Sequence, residues 1–530
     1  MHFLALLRVA GGGYLLFILA VCSVFLLYPA QEILAETNNG RLNGPLAPGG
    51  YVHSFALSPD DRHVVYRANQ EAENTVELYA VHLGSGSVVR LNQPPAPGGN
   101  VDAFFISPDS SRVVYRADQE RNEVDELYSV PIGGGTVTRL NDPLPAGSNV
   151  AADIVISPDS GRVVYLADQR TAGVYELFSA PLGGGKVIRL NDEPVAGGNV
   201  DAFAVSPDSS RVVYVADQLI NGVYDLFSVP LDGGPVTRLN GGSAAGGSVG
   251  FFAVSPDSSR VVFAADRLKG GGSELFSVPL DGGAAASLNT KPAADGTVGF
   301  FTVSPDSSRV VFTADHRKKK VVELYSVPIT GGKAVRLNDS LTRGGNVSSF
   351  ALSPDGSRVV YRADQKKDDV VELYSVPVTG GKAARLNDSL TRSGDVLSFA
   401  VSPDNSRVIY LADQETDALI ELYAVAMGGG GAVKLNSPLT PGGSVSSFAV
   451  SPDGGSVLYL APSQTGADEL FSVPLAGGAA TRVNGPLAAG GFVYPDFAVS
   501  ADSRRIIYRA HQHTSGVAEL YARPTAPSRD

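Results

Sequence analysis

The chain alternates short apolar runs with polar turns along nearly its whole length. Residues 199–240 show one cycle, NVDAFAVSPDSSRVVYVADQLINGVYDLFSVPLDGGPVTRLN. Four runs stand out: VDAFAVS, RVVYVAD, YDLFSVP and VTRLN. They are rich in valine and aromatic residues, and no window carries a helical apolar period, so strands are predicted. Turn chemistry separates them. Pro207 stands where a type I turn needs its fixed φ, and Asp208 is able to bond the backbone beyond it. Asp232-Gly233-Gly234 turns the third run into the fourth.

The cycle recurs. The Asp of Ser-Pro-Asp falls at 60, 109, 159, 208, 257, 306, 355, 404 and 453, with a degenerate copy at Ala501-Asp502. Four antiparallel strands in a period of this length make a propeller blade. The predicted fold is therefore all-β, a β-propeller of ten four-stranded antiparallel blades. Arg-Leu-Asn or a close variant marks each fourth strand, but the last unit ends without one. Arg41-Leu42-Asn43, by contrast, precedes the first complete unit. The count balances if residues 41–43 complete the last blade and close the ring, which also removes two open sheet edges. Phenylalanines recurring on the first strand, from Phe55 to Phe497, are expected to pack between sheets.

Composition narrows the reading at four points. The 530 residues exceed what one compact core supports, which suits an array. A net charge of −12 argues against general nucleic-acid binding, which needs a basic face. Cys22 is the only cysteine, so the rest of the chain has no disulfide, thiolate metal site or cysteine nucleophile. From Val9 to Gln31 there is no charge, and Arg8 precedes the run. That is the pattern of a secretory signal or an uncleaved anchor. Two parts are expected: residues 1–35 as signal peptide or N-terminal membrane anchor, and 36–530 as the propeller. The expected location is extracytoplasmic, whether periplasmic, secreted or membrane-anchored, with membrane contact only through the N-terminal segment.

The stretches SPDGSRVVYRADQ at 353–365 and ELYSVP at 372–377 resemble the Pro-Asp type of repeat found in TolB-like β-propellers. Similar blades occur in prolyl-oligopeptidase-like enzymes. The resemblance covers about residues 41–530 and is specific for fold rather than function. It implies an extracytoplasmic scaffold that binds other proteins. TolB itself has six blades and a separate N-terminal α/β domain, for which this chain has no room, so its partners do not carry over.

Candidate chemistry is sparse. Gly246-Gly247-Ser248-Val249-Gly250 matches Gly-x-Ser-x-Gly, but its counterparts at 197–201 and 344–348 mark it as a linker, not a nucleophile elbow. Gly428–Gly431 reads as a turn and opens no helix, so it is not a phosphate loop. His511 and His513 are spaced for one strand face. Asp118, Asp168, Asp217, Asp266, Asp315, Asp364 and Asp413 close the second strand; Glu126 and its equivalents through Glu519 open the third. Such a pair could hold a cation, but its recurrence points to blade architecture. No catalytic residue, metal or cofactor is assigned, and an enzyme is not expected.

What recurs in every unit is read as fold, and function is sought where units differ. The loop between second and third strands varies most. Arg317, Lys318, Lys319, Lys320, Lys366 and Lys367 lie in two successive loops, with Arg343 and Arg392 in the linkers that follow. Together they are the candidate partner-binding patch. Glu71, Glu73, Glu120, Glu123 and Asp125 give blades 1 and 2 an acidic face. The expected function is a non-enzymatic scaffold for an unidentified protein, an anionic surface or an envelope polymer, not nucleic acid. The alternative is a propeller that binds or cleaves polysaccharide.

Overall fold

The computed structural model describes residues 40–241, 247–266, 272–289, 296–315, 321–464 and 466–525. Before them it describes only four short strands, between His2 and Ala20. Most of the predicted export segment, and Arg317–Lys320, lie outside the described residues. No helix among the described residues is long and apolar enough to cross a membrane.

The fold is the expected all-β propeller of ten blades. Nine are sheets of four strands in chain order, and the tenth has three strands of its own. Blade 4 is typical, with strands Val200–Val205, Arg211–Ile220, Val223–Pro230 and Thr237–Arg238. Fourth strands are shorter than the sequence suggests, mostly two residues. The blades group into two compact units. One comprises blades 1, 2, 8, 9 and 10, within Val21–Arg139 and Asn387–Asp530. The other holds blades 3–7, within Leu140–Leu386.

The deepest packing lies in the middle of each sheet. Val64, Val65 and Tyr66 of the second strand are completely buried, as are Val359, Val360 and Tyr361. Each second-strand ring stacks on a third-strand ring: Tyr66 on Tyr79 at 5.5 Å, Tyr361 on Tyr374 at 5.3 Å. The first-strand rings Phe55, Phe104 and Phe203 are only partly buried. A first strand is a sheet edge, whereas the central pair is covered on both faces by neighbouring blades.

Within each unit the Ser-Pro-Asp turn ties a blade to the next wherever that next turn offers a serine hydroxyl; blades 7 and 9 carry Gly356 and Gly454 there instead. In blade 1, Ser58 Oγ donates to Asp60 Oδ1 at 2.6 Å, and Arg62 N donates to the same oxygen at 3.1 Å. The Asp60 amide then donates to Ser110 Oγ of blade 2 at 3.0 Å. Ser110 has φ of 61°, a left-handed turn position that aims its hydroxyl backwards. The same bond runs from Asp159 to Ser209, Asp208 to Ser258 and Asp257 to Ser307 in the second unit. Between blades 10 and 1 the acceptor is Asp61, whose two oxygens take Ala501 N and Asp502 N at 2.9 Å.

Arg-Leu-Asn also has a mechanical explanation. The arginine pairs with the glutamate opening the third strand, as Arg336 does with Glu323 at 2.7 Å. The asparagine Oδ1 accepts the next amide of that strand, as Asn338 does from Leu324 N at 2.8 Å. The leucine is buried in the core. At the last blade these roles fall to the N-terminal segment. Arg41 bridges antiparallel to Tyr521, and Leu42 N donates to Leu520 O at 2.8 Å. Asn43 Oδ1 accepts from Leu520 N at 2.8 Å, and Arg41 Nη1 lies 2.8 Å from Glu519 Oε1. Residues 41–43 thus complete blade 10.

This clasp is open to measurement. Asn43→Ala leaves a buried amide unpaired and is expected to cost about 1–3 kcal/mol in denaturant unfolding. Burial alone would raise the Glu519 pKa, but hydrogen bonds from Tyr521, Arg41 and His513 outweigh it and hold it below the ordinary 4.5. A depressed carboxylate stabilises fully above its unfolded pKa, and that stability is lost as pH falls through the folded one. The stability gap between the parent and Glu519→Gln should therefore hold at pH 5–7 and shrink below about pH 4.5.

Candidate functional site

The polar groups that recur are spent on the fold. Asp217 Oδ1 accepts Asn199 N at 2.6 Å, and its Oδ2 accepts Gly222 N at 2.8 Å. Third-strand acids take the arginine or lysine of the fourth strand where there is one and, where the strand carries a tyrosine, its hydroxyl, as Glu126 takes Tyr128 OH at 2.9 Å. The two sets of carboxylates therefore serve separate partners. Among the described residues, no group of three or more His, Cys, Asp or Glu side chains is placed to hold a metal. His511 and His513 do not share a strand face. They follow the second strand and diverge, His511 to Tyr494 OH at 3.2 Å and His513 to Glu519 at 2.8 Å.

The sequence-predicted basic patch is only partly visible. Arg343, Lys366 and Lys367 belong to the second unit and are exposed. A side chain at Gly344 would run into Asp368, so the linker bearing Arg343 adjoins the 366–369 loop. Asp368 and Asp369 lie in that loop and dilute its charge. Arg392 is exposed on the first unit. The acids of blades 1 and 2 are largely paired at home: Glu71 with Arg90 at 2.7 Å, Glu120 with Arg139 at 3.2 Å, Asp125 with Arg116 at 3.4 Å.

A second cluster escaped the loop-by-loop reading. The position after the second-strand ring is uncharged in six blades, as at Leu166, Val215 and Leu411, but it is arginine in four: Arg509, Arg67 and Arg116 in blades 10, 1 and 2, and Arg362 in blade 7. Blades 10, 1 and 2 lie in the first unit, and blade 7 lies in the second, where Arg362 Nε donates to Ser349 Oγ at 2.9 Å. Arg509 crosses to blade 1, where Nη1 donates to Val52 O at 2.7 Å, and Nε donates to Asp496 at 2.7 Å. Its guanidinium lies 4.5 Å over the Tyr494 ring. Arg67 crosses likewise to blade 2, donating to Val101 O at 3.2 Å and to Asp102 O, with Nε on Ser54 Oγ at 3.0 Å. Arg116 pairs with Asp102 and Asp125.

Histidines and aromatic rings surround these arginines. The His53 Nε2 lies 2.6 Å from Asn69 Oδ1, and its ring lies 4.1 Å from Tyr51. Phe492, Tyr494 and His511 pack together, with Phe492 and His511 edge to face at 4.6 Å. Burial lowers the His53 pKa, the bond to Asn69 opposes this, and the charges of Arg67 and Arg509 lower it further. His53 is thus neutral near pH 7. A column-by-column comparison of the ten repeats would have found this cluster, because Tyr51, His53, Tyr494 and His511 each break their column.

Comparison with known proteins supports the fold. The family model of the lipoprotein LpqB beta-propeller domain matches residues 224–377, within blades 4–7. The chain is a ten-bladed β-propeller, and part of it matches that propeller-domain family. Porphyromonas gingivalis dipeptidyl peptidase 4 is similar at TM-score 0.50 and 12% identity, over 86% of this chain and 64% of that one. This chain therefore covers less than two thirds of that peptidase. An oligogalacturonate lyase solved with manganese gives 0.35 and 16%, over 73% and 92%. A TolB from Agrobacterium tumefaciens, described as putative, gives 0.29 and 20%, over 48% and 85%. These likenesses concern fold alone. No curated protein matches the sequence.

The His53 assignment makes a spectroscopic prediction. Its NMR titration midpoint should fall below the ordinary 6.5. Arg67→Gln removes one repelling charge and should move the midpoint up. An unchanged midpoint would show that the two groups do not interact.

Proposed function

We propose that this protein is a non-enzymatic interaction scaffold that works outside the cytoplasm, held or exported by its N-terminal segment. One observation carries the reading. The repeated serines, aspartates, glutamates and arginines are consumed within and between blades, while the charged and aromatic departures lie on exposed loops and strand starts. A molecule so divided has a stiff interior and a surface free to vary. The apolar run from Val9 to Gln31 and the match to a lipoprotein propeller domain support the location.

The partner is a protein with an acidic face that meets the basic residues of blades 6 and 7: Arg317, Lys318, Lys319, Lys320, Arg343, Lys366 and Lys367. Anionic lipid or envelope polymer would use the same charges. Attraction of this kind raises the association rate and weakens with salt, since exposed charges are screened over about 10 Å at 0.1 M.

Fractionation should place the full chain outside the cytoplasm, and capture from envelope extract should recover a partner at low salt. Replacing Lys318, Lys319, Lys320, Lys366 and Lys367 with Ser should leave the melting temperature unchanged and reduce recovery several-fold. Equal recovery by both forms would remove the patch from the reading. A cytoplasmic location would remove the scaffold's setting.

A further inference from the structure

Blade 1 lacks a set of side chains with which other repeats fill one place. The first residue of the second strand is arginine in eight of the other nine repeats, and it is His63 in blade 1. In blades 2–7 the arginine Nε donates to a third-strand serine, as Arg162 does to Ser179 Oγ at 2.6 Å and Arg211 to Ser228 Oγ at 2.7 Å. In blade 1 that serine is Ala80. The cross-strand partner of His63 is His82, in a position that holds proline in eight of the other nine repeats. In the second unit two of these arginines run on to the turn of the next blade, where Arg162 meets Asp232 at 3.3 Å and Arg211 meets Asp281 at 3.4 Å. The residue of blade 2 in that position is Gly133. The turn is seated alike in both units: a side chain on Gly134 would strike Val89, as one on Gly233 would strike Ile188. Four departures thus fall together where blade 1 meets blade 2, and breaks in an otherwise consistent local rule mark functional positions.

The smaller side chains leave a cavity of about 270 Å³, lined by His63, Ala80, His82 and Gly133 with the exposed Ser85 and Ser87 beside them. The two imidazoles lie edge to face, 4.9 Å apart. Their hydrogens can be placed. His82 Nδ1 accepts Ser85 N at 3.0 Å and Gly84 N at 3.2 Å, so its hydrogen is on Nε2. His63 Nδ1 is buried without a hydrogen-bond partner among the described residues. A stranded acceptor is tolerated better than a stranded N–H, so His63 also carries its hydrogen on Nε2. Nε2–H is then the polar group that each ring has left to offer. A divalent metal would have to strip that hydrogen from His82 while Nδ1 still faces two amides, and among the described residues no third His, Cys, Asp or Glu joins the pair to hold one. Burial lowers the His63 pKa; His82 lowers it further, Asp60 opposes them and Arg62 adds to them. His63 is therefore neutral near pH 7.

We propose that this cavity binds a small carboxylate, which accepts hydrogen bonds from Nε2 of His63 and His82 and takes the place that Asp232 and Asp281 hold in the second unit. The repeat itself indicates the chemistry. At those two positions the chain supplies both a basic group and a carboxylate; at blade 1 it keeps basic groups and omits the acid. Imidazoles in place of arginine make the binding depend on pH. A bound carboxylate favours the charged imidazole, so binding takes up a proton and strengthens as pH falls into the range where the rings titrate. A ligand carboxyl with an ordinary pKa of about 4 stays ionised through that range. Ala80 gives a short carbon chain an apolar wall, and the Ser85 and Ser87 hydroxyls, which both donate and accept, suit a hydroxyl beside the carboxylate. The volume lies just below the roughly 300–1,000 Å³ of ordinary ligand pockets, which restricts the occupant to a few heavy atoms. A short 2-hydroxy acid meets all three conditions. This site is independent of the scaffold reading and uses none of its lysines.

The test uses the full chain and three probes: lactate, lactamide and inorganic phosphate. Saturation-transfer NMR on the ligand methyl group should show lactate binding at pH 5.5, several-fold tighter than at pH 7.5. Lactamide, of the same shape without the charge, should bind at least about tenfold more weakly, the scale of one lost charge-assisted bond. In the imidazole spectrum, lactate should raise the titration midpoints of His63 and His82. Gly133→Asp lets the chain supply the carboxylate itself. A side chain there meets nothing within 4 Å, so this variant should melt like the parent, show a raised His63 midpoint and no longer bind lactate. His63→Gln/His82→Gln should bind lactate weakly and equally at both pH values. Absence of lactate binding at pH 5.5, equal binding of lactate and lactamide, or undiminished binding by Gly133→Asp would overturn the proposal. Phosphate binding more tightly than lactate at the same site would overturn it in favour of an inorganic oxyanion.

Discussion

Each compact unit is held together by main-chain amides that find a side-chain acceptor on the neighbouring blade. A propeller blade is hydrophobic on both faces, and apolar contact alone does not fix how one sheet is seated on the next. The Asp60 amide on Ser110 and the Val76 amide on Asn100 supply that direction at two points of the same junction. Both acceptors depend on backbone geometry: a left-handed turn at Ser110 and a fixed linker before Asn100. The repeated Ser-Pro-Asp-Ser-Ser is therefore less a turn than a joint.

The fold was legible because every element of a blade is encoded locally. Proline and aspartate mark the first turn, a glycine pair marks the third, and alternating apolar residues mark the strands between. Even the sharing of blade 10 by the two ends could be read, because Arg41-Leu42-Asn43 carries the same three-residue signature as the complete fourth strands. Burial rank was less legible. First-strand phenylalanines looked like core because they recur, but recurrence does not distinguish a sheet edge from its centre, where Tyr66 and Tyr79 lie.

The surface was legible only in part. Lysines in polar loops could be placed outside, and Lys366 and Lys367 are there. Which charges remain unneutralised could not be read, since pairing depends on neighbouring blades: Glu71 meets Arg90, while Arg67 meets only hydroxyl and carbonyl oxygens. The rim of blades 10 and 1 was hidden for a related reason. Its residues are scattered singly among strand positions, so no contiguous motif announces them. Adjacent blades bring them together.

The sharing of blade 10 by the chain's two ends has a mechanical consequence. Gly40 O meets Ala522 N and Leu42 N meets Leu520 O, so the segments run antiparallel and leave the sheet at the same end. A pull on residues before 40 and after 524 would not shear the pair along its length. It would peel the strands apart from that end, loading one hydrogen bond at a time. Tension between the two ends would thus act first on the short strand of residues 41–43, before the central strands of any blade bear load.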